Sequence, residues 1–444
     1  MALRAGLLVL LAALLHPSGI AGQASSNPAN AYPDSKARVI QHVIIMMQEN
    51  RSTDNLFHAL PGADTADYGI NSKGQKITLQ PIALANKYDL GHFRAAFLAE
   101  YDGGKMDGAD KVFVNCHVGQ AGCIDPQFKY VTETDVDPYF QMAEKYAFAD
   151  RMFQSNQGAS YPAHQFIIGA TSAPNATSPL FVAENPTGLV NQRANLDTGC
   201  KAPAQEFVSL LNPLGQETLI AYPCYERTTM MDLLDNKQLS WRYYAPMLNQ
   251  IWTAPNSIHH IRLGQDWQYV IGDPTQVLTD ISQNNLPNVA WVIPPVLSSD
   301  HPQENDGSGP SWISSVVNAV GNSPYWSSSA IFITWDDWGG WYDHVAPPII
   351  NSYQYGLRVP LVIVSPYATP GCVSHVTHDF SSILKFTETV FDLPSLGFGD
   401  VNADDLTDCF DFEKRPRSFR AIRAPLDANH FLNDKSPQPE SDEY

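Results

Sequence analysis

The feature that most constrains this chain is the stretch of residues 331–344, which reads I-F-I-T-W-D-D-W-G-G-W-Y-D-H. It opens with β-branched and aromatic residues, which predict a short buried strand. Asp336 and Asp337 follow, and the two glycines after them let the backbone turn tightly or approach a ligand closely. Adjacent carboxylates repel each other unless a cation compensates them, and hard divalent cations prefer oxygen ligands. The stretch therefore predicts either a metal site or an acidic turn that caps a helix.

Two other hydrophobic runs end in polar residues. Residues 39–47 predict a buried strand that is followed by Glu49 and Asn50, and residues 288–293 predict a strand that leads to His301. Ligands of open α/β sheets bind just past the carboxyl ends of the strands. We therefore expect these polar residues to converge with the aspartate pair at one edge of a sheet.

Strands and helical patterns alternate along most of the chain. Helical patterns at residues 135–149, 311–320 and 375–391 are interspersed with apolar runs such as residues 359–364. This alternation predicts an α/β fold with a largely parallel central sheet that is covered by helices on both faces. Residues 178–223 are rich in Pro, Gly and Asn and predict a loop-rich insertion or cap. We expect one catalytic domain with loop insertions.

Ser160 stands in the segment G-A-S-Y-P, two residues before Pro162. Proline favours the first turn of a helix, so Ser160 is expected at or beside a helix N-terminus, where free N–H groups favour anions. A plain serine N-cap is the more common role for such a residue, and the local sequence alone favours it.

The overall charge argues against some partners. The formal net charge is -19, from 27 basic and 46 acidic residues, and lysine and arginine form no cluster. Nucleic-acid binding needs such a cluster, so a nucleic-acid partner is not expected. The acidity also disfavours anionic membrane surfaces.

The first 24 residues are typical of a secretory signal. Arg4 supplies a positive charge, residues 7–15 form an apolar core too short to span a bilayer, and residues 21–24 offer small side chains for cleavage. No later segment approaches a transmembrane span, so a secreted or periplasmic location is expected. Six cysteines behind a signal favour disulfides. Proximity in the sequence favours the pairs Cys116–Cys123, Cys200–Cys224 and Cys372–Cys409.

A hydroxyl, clustered carboxylates and several imidazoles fit phosphoryl transfer better than acyl transfer. A metal would neutralise phosphoryl oxygens and lower the pKa of the serine hydroxyl. Acyl transfer would favour G-x-S-x-G, which G-A-S-Y-P does not match. The chain also lacks the phosphate-binding motif G-x-x-x-x-G-K-[ST].

Six ordered segments carry a family resemblance. They read H-V-I-I-M-M-Q-E-N-R-S, G-H…Y-D-G-G-K-M-D-G, A-D-R-M-F-Q-S-N-Q-G-A-S-Y-P-A-H-Q, S-S-D-H-P, T-W-D-D-W-G-G-W-Y-D-H-V-A-P-P and G-L-R-V-P-L-V-I-V-S-P-Y. With them the chain resembles the bacterial phospholipase C and acid phosphatase family of phosphoesterases, which has an alkaline-phosphatase-like α/β fold. The predicted organisation is a signal peptide at residues 1–24, a phosphoesterase catalytic domain at 36–412 with an insertion or cap at about 175–260, and an irregular tail at 413–444.

The resemblance also implies roles for individual residues. One divalent metal ion would be bound, and calcium, magnesium, manganese, zinc and iron all remain open. Asp343 and His344 would be supporting or structural. The implied roles are Ser160 as a nucleophile that becomes a phosphoserine, His92 and His301 as catalytic histidines, His259 and His260 as substrate-binding residues, and Glu49, Asn50, Asp336 and Asp337 as metal ligands.

The substrate is predicted less sharply than the chemistry. Phospholipase-like members often carry threonine followed by P-N-R where this chain has S-Y-P-A-H. This departure favours small phosphomonoesters or broad specificity, and phosphatidylcholine hydrolysis is the alternative. A sulfatase is disfavoured because His164 stands where its motif needs arginine. A non-catalytic envelope protein would tolerate loss of the acidic residues and show no metal dependence.

Overall fold

The structure is a computed structural model that describes residues 35–116, 123–188 and 197–439, so the predicted signal sequence lies outside the described residues. The strands are β1 (His42–Gln48), β2 (Tyr68–Ile70), β3 (Lys76–Thr78), β4 (Gln80–Ile82), β5 (Asp89–Leu90), β6 (Val114–Asn115), β7 (Lys129–Val131), β8 (Ala147–Ala149), β9 (Phe181–Val182), β10 (Thr187–Gly188), β11 (Glu206–Leu211), β12 (Glu217–Ala221), β13 (Trp241–Tyr244), β14 (Val270–Ile271), β15 (Val289–Val292), β16 (Ser329–Trp335), β17 (Leu361–Val364) and β18 (Cys372–Ser374).

The α-helices of the described residues are mostly short. They are α1 (Thr53–Leu56), α2 (Arg94–Tyr101), α3 (Glu133–Lys145), α4 (Ser160–Gly169), α5 (Met230–Asn236), α6 (His259–Leu263), α7 (Gln276–Ser282), α8 (Gly309–Gly321), α9 (Phe380–Phe391) and α10 (Ala428–Asn433).

A central sheet of eight strands organises the molecule, in the order β14-β13-β15-β1-β16-β17-β8-β18. Its neighbouring strands are parallel except where β17 meets β16 and β8. One strand of the eight is therefore reversed, and the predicted largely parallel sheet is confirmed. The inner strands β1, β15, β16 and β17 are almost fully buried, which explains their nearly continuous hydrophobic sequences.

Helices cover both faces of this sheet, as predicted. Alternate residues of a strand point to opposite faces. In β16, Trp335 packs edge-on against Tyr139 of α3, whereas Phe332 packs edge-on against Phe386 of α9. Since these two positions of β16 are an odd number of residues apart, α3 and α9 lie on opposite sides of the sheet.

The helix predicted at residues 135–149 is wrong at its C-terminal end. Helix α3 stops before Tyr146, whose φ of -127° and ψ of -113° are not helical. The next three residues form β8, which pairs with β17 and β18. These three residues are all buried. Their apolar sequence therefore reflects a strand that is covered on both faces, and not the end of a helix. The helix predicted at 375–391 begins only at Phe380, after β18.

The segment predicted as loop-rich contains a small second sheet. Strands β9, β10, β11 and β12 pair antiparallel within residues 181–221. The prediction of mainly loop structure is therefore wrong for these residues. Strand β13, by contrast, belongs to the central sheet, so the chain returns to the main fold well before residue 260.

The three predicted disulfides are present as Cys116–Cys123, Cys200–Cys224 and Cys372–Cys409. The predicted irregular tail contains one helix, α10, and otherwise no regular element up to residue 439. Of the helices in the described ranges, none combines the length and apolar character that crossing a bilayer requires.

Candidate active site

The ends of three parallel strands bring the predicted acidic residues together. Strand β1 lies between β15 and β16, and its last residue, Gln48, is paired with Trp335 of β16. The backbone pairing continues past the strands, because the Asp336 N–H donates to the Gln48 carbonyl over 3.0 Å and the Arg51 N–H donates to the Asp337 carbonyl over 3.0 Å. The residues that follow β1 and β16 therefore face each other, although they lie far apart in the sequence.

Asn50 and Asp336 share one side of this junction. The backbone N–H of Asn50 donates to Asp336 Oδ1 over 2.9 Å. Asn50 has a positive φ of 59°, a conformation that asparagine tolerates better than most residues. Both side chains are fully buried, and Asn50 Oδ1 and Asp336 Oδ2 accept no hydrogen bond from any described residue. Buried oxygens of this kind are costly unless a proton donor or a cation satisfies them.

Ser160 is the first residue of α4, and Ala159 occupies the N-cap position. The interpretation of Ser160 as a plain N-cap is therefore wrong, whereas its position beside a helix N-terminus is confirmed. Its hydroxyl donates to Asp337 Oδ2 over 3.0 Å, and Asp337 Oδ1 accepts the Gly339 N–H over 2.7 Å. Both side chains are fully buried. The hydroxyl is thus aimed at the acidic cluster.

His164 belongs to the same cluster, and the sequence reasoning did not assign it a role. It lies on α4 one turn after Ser160, with Nε2 3.3 Å from Glu49 Oε1 and 4.0 Å from Asp336 Oδ2. Burial lowers the pKa of His164 to about 4, and the charge of Asp336 offsets this only in part. The ring is therefore neutral near pH 7, which is the form that ligates metals. The i to i+4 spacing from Ser160 was the available signal.

His92 and His301 lie beside this cluster, as the sequence predicted. His92 Nε2 is 3.1 Å from Asn50 Nδ2, and its Nδ1 is 2.8 Å from the Leu90 carbonyl. Because a carbonyl only accepts, Nδ1 carries the proton and Nε2 accepts from the amide. The ring of His301 is edge-on to that of His92, with centroids 6.1 Å apart. The two imidazoles therefore extend the site beyond Asn50.

His259 and His260 are not brought to this cluster. They lie on the short helix α6, and the side chain of His259 is 59% exposed. His260 Nδ1 is 2.6 Å from Glu226 and its Nε2 is 2.9 Å from Asp232. The hydrogen bond to Asp232 raises the pKa of His260 to about 9, with burial opposing it. These rings serve surface ion pairs, so the structure gives no support to their predicted substrate-binding role.

Asp343 and His344 join a buried ion network instead of the cluster. Arg358 donates to both carboxylate oxygens of Asp343, over 2.8 Å and 3.1 Å. His344 contacts Asp54 over 2.7 Å and Asp64 over 3.0 Å. The network ties the loop after β16 to the start of β17, which is a structural role.

Glu100 of α2 anchors the loop that carries the two aspartates. Its carboxyl group accepts the Trp338 indole N–H over 3.0 Å and the Asp343 backbone N–H over 3.2 Å. Burial raises the pKa of Glu100 well above its ordinary value. Between these two anchors, Gly339 has a φ of 64°, and a Cβ there would lie 2.2 Å from the Asn50 carbonyl oxygen. Only glycine fits at this position.

The residues present fit a divalent cation. One ligand atom from each of Glu49, His164 and Asp336 lies within 4.8 Å of the others, and all three residues are buried. Asn50 Oδ1 supplies a further oxygen that lacks a hydrogen bond within the described ranges. Carboxylate and amide oxygens suit calcium, magnesium or manganese, and an imidazole extends the range to zinc and iron.

A buried hydroxyl at a helix N-terminus, next to a carboxylate cluster and two imidazoles at the carboxyl edge of a parallel sheet, defines a hydrolase of the phosphoryl-transfer class. The chain belongs to the Phosphoesterase family, whose model matches residues 40–394. This confirms the resemblance carried by the six sequence segments. The protein is accordingly a hydrolase that acts on phosphoric ester bonds.

Individual relatives are more distant. The chain is 23% identical to "Phospholipase C B" of Mycobacterium tuberculosis, over 85% of this chain and 78% of that protein. It is 24% identical to "Non-hemolytic phospholipase C" of Burkholderia pseudomallei, over 83% of this chain and 57% of that protein. The chain is also similar to a solved structure of a protein in the alkaline phosphatase superfamily from Vibrio parahaemolyticus. The match covers 84% of this chain and 71% of that chain, with 10% identity and a TM-score of 0.39.

Proposed function

We propose that the chain is a metal-dependent phosphoesterase that cleaves its substrate through a phosphoserine at Ser160. The observation that carries the proposal is the 3.0 Å hydrogen bond from the Ser160 hydroxyl to Asp337, made at the N-terminus of α4 beside the acidic cluster. A nucleophilic hydroxyl needs a neighbouring group that orients it and withdraws its proton. Asp337 is positioned for both tasks.

The metal ligands would be Glu49, Asn50, Asp336 and Asp337, with His164 as an additional candidate. A divalent cation bound there supplies positive charge that offsets the phosphoryl oxygens and the serine alkoxide. The chain's own contribution is to hold that charge beside the nucleophile, because α4 and the strand ends fix both.

The reaction would proceed in two displacements. Ser160 Oγ forms a bond to phosphorus and gives its proton to Asp337, while the bond from phosphorus to the leaving oxygen breaks. That oxygen takes a proton from the protonated imidazole of His301, or from that of His92 once its Nε2 no longer accepts from the Asn50 amide, and leaves as an alcohol. Water then attacks the phosphoserine, the imidazole removes a proton from the water, and the Ser160 oxygen recovers its own. The product is phosphate from a monoester or a phosphomonoester from a diester.

Two observations bear on the substrate. The segment S-Y-P-A-H, in place of threonine with P-N-R, favours small phosphomonoesters. The relatives named phospholipase C favour a phospholipid diester as the second candidate. A panel of p-nitrophenyl phosphate, p-nitrophenyl phosphorylcholine and phosphatidylcholine, with and without chelator, separates the two. Preference for the monoester supports the first candidate, and preference for the choline substrates supports the second.

The proposed location is outside the cytoplasm, either secreted or periplasmic. The signal-like first 24 residues support this proposal, and so do the three disulfides, because disulfides persist in oxidising compartments. Recovery of the chain from the medium or periplasm, with its N-terminus cleaved near residue 24, is the expected result.

The nucleophile is tested with Ser160→Ala. Removal of the attacking oxygen is expected to lower kcat by about 10³-fold or more. The matched control is Ser314→Ala, because Ser314 is equally buried and helical but lies on α8, where it bonds only the Pro310 carbonyl. Acid-quenched enzyme should carry a phosphoryl group on the Ser160 peptide in the wild type and in the control. Near-normal turnover by Ser160→Ala would refute the phosphoserine route.

A further inference from the structure

A second cluster of metal-binding side chains lies at the far edge of the central sheet. It consists of His378, Asp404 and Asp408, and one nitrogen or oxygen of each lies within 4.8 Å of the others. Strand β18 leads into it, and the disulfide Cys372–Cys409 flanks it. The nucleophile and the acidic cluster do not use any of these residues.

The hydrogen bonds in this cluster indicate which ring nitrogen of His378 carries a proton. Ser374 donates its only hydroxyl proton to Asp408 Oδ2, because an ionised carboxylate can only accept. The Ser374 oxygen can therefore only accept from His378 Nε2, which lies 2.9 Å away. Nε2 carries a proton, and in a neutral ring Nδ1 then holds a lone pair.

That second nitrogen faces the Asp404 carboxylate. His378 is fully buried, and its Nδ1 lies 3.1 Å from Asp404 Oδ1. Two ligands of a tetrahedral ion, each about 2.0–2.1 Å from it, lie roughly 3.3 Å apart. The separation of these two atoms therefore matches a pair of ligands that share one cation.

We propose that His378, Asp404 and Asp408 bind a zinc ion, and that this ion pins residues 404–408 to the sheet. One imidazole with two carboxylates suits zinc better than calcium or magnesium, which prefer oxygen ligands alone. Ligating histidines usually donate their other N–H to an acceptor, as His378 does to Ser374. The side chain of Asp404 is 36% exposed and Asp408 is also exposed, so an ion has a path from solvent.

The zinc is structural, not catalytic. It adds a second clamp beside the disulfide, since Asp408 precedes Cys409 and Ser374 follows Cys372 by two residues. Removing it should lower the melting temperature and leave the catalytic constants little changed. The zinc site does not depend on the proposed phosphoserine route, so it would stand even if that route were wrong.

The test counts zinc on the full chain, with Zn²⁺ alone as the probe. After loading with ZnCl2 and dialysis, Asp404→Asn and His378→Gln are expected to hold one zinc ion fewer per chain than the wild type. Because Asp404 is partly exposed, Asp404→Asn should fold even if His378→Gln does not. The matched controls are Asp405→Asn and His375→Gln, whose side chains bond Thr407 and Asp150 instead.

A zinc-edge anomalous peak beside His378 in crystals of the loaded protein, together with loss of one ion in Asp404→Asn but in neither control variant, supports the site. Equal zinc content in the wild type and Asp404→Asn, or no anomalous peak beside His378, overturns it. In that case the cluster is only a chain of polar contacts that runs from Asp404 through His378 and Ser374 to Asp408. Activity on p-nitrophenyl phosphate, measured in the same samples, separates this site from the first one.

Discussion

Asp337 connects Ser160, the proposed nucleophile, to the loop that follows β16. One of its oxygens accepts from Ser160 and the other accepts from the Gly339 backbone. The carboxylate therefore cannot rotate without losing one of the two bonds. The orientation of the Ser160 hydroxyl is tied to this carboxylate, whose own position depends on the conformation of the loop.

The glycine next to it gives a direct test of that dependence. Gly339→Ala is expected to lower kcat/KM by at least about 10-fold, because the new Cβ would collide with the Asn50 carbonyl and displace the loop. Gly103→Ala is the matched control, since Gly103 has a similar φ of 67° but nothing within 4 Å of an added Cβ. The control should lose about 1 kcal/mol of unfolding free energy from backbone strain and keep its activity. Equal activity in the two variants would contradict the expected collision.

Some residues of the candidate site could be predicted from the sequence and others could not. Glu49, Asn50, Asp336 and Asp337 follow strongly hydrophobic strands, so the edge of the sheet where they meet could be predicted. His164 was recognisable only by its helical spacing from Ser160. The pair His259 and His260 resembled site residues, but their acidic partners lie about 30 residues away along the chain and are revealed only by the fold.

At the scale of elements, burial decided which strands could be predicted. Strands β1, β15, β16 and β17 are buried on both faces, so their sequences are continuous apolar runs that differ clearly from a helix. Strand β8 has only three residues and follows directly on α3, so its alanines continued the helical pattern. A short strand next to an amphipathic helix carries too few residues to establish its own period.

The connection between β16 and β17 contains the ion network around His344, which makes stability depend on pH. Burial disfavours the charged ring, but the hydrogen bond and charge of Asp54 and the charge of Asp343 outweigh it and raise the pKa of His344 to about 9. A pKa raised above the unfolded value of about 6.5 stabilises the fold fully below that value, and the contribution disappears as pH rises to about 9.

The corresponding variant is His344→Gln, which keeps a hydrogen-bonding side chain but cannot be charged. The wild type is expected to be more stable than the variant at pH 6, by on the order of 2–3 kcal/mol. The difference should shrink between pH 6.5 and pH 9, as measured by denaturant unfolding at each pH. A difference that grows with pH would contradict the charged state assigned to His344.

At the scale of the whole molecule, the disulfides close loops of very different length. Cys116–Cys123 spans 7 residues and Cys372–Cys409 spans 37. Loop-closure entropy predicts that replacing both cysteines of the longer loop with serine costs about 4 kcal/mol and that the same change in the shorter loop costs about 2 kcal/mol. Thermal unfolding of the two double variants, both at a saturating zinc concentration, measures which disulfide contributes more to stability. An equal loss would show that native-state contacts, not loop length, set these contributions.

The two acidic halves of the site lie 286 residues apart in the sequence, as measured from Asn50 to Asp336. A polypeptide emerging from the ribosome therefore holds Glu49 and Asn50 for most of its synthesis without the aspartates that complete them. Any product that terminates before residue 336 lacks half of the cluster. The candidate site can therefore assemble only after residue 337 of the 444 has been made.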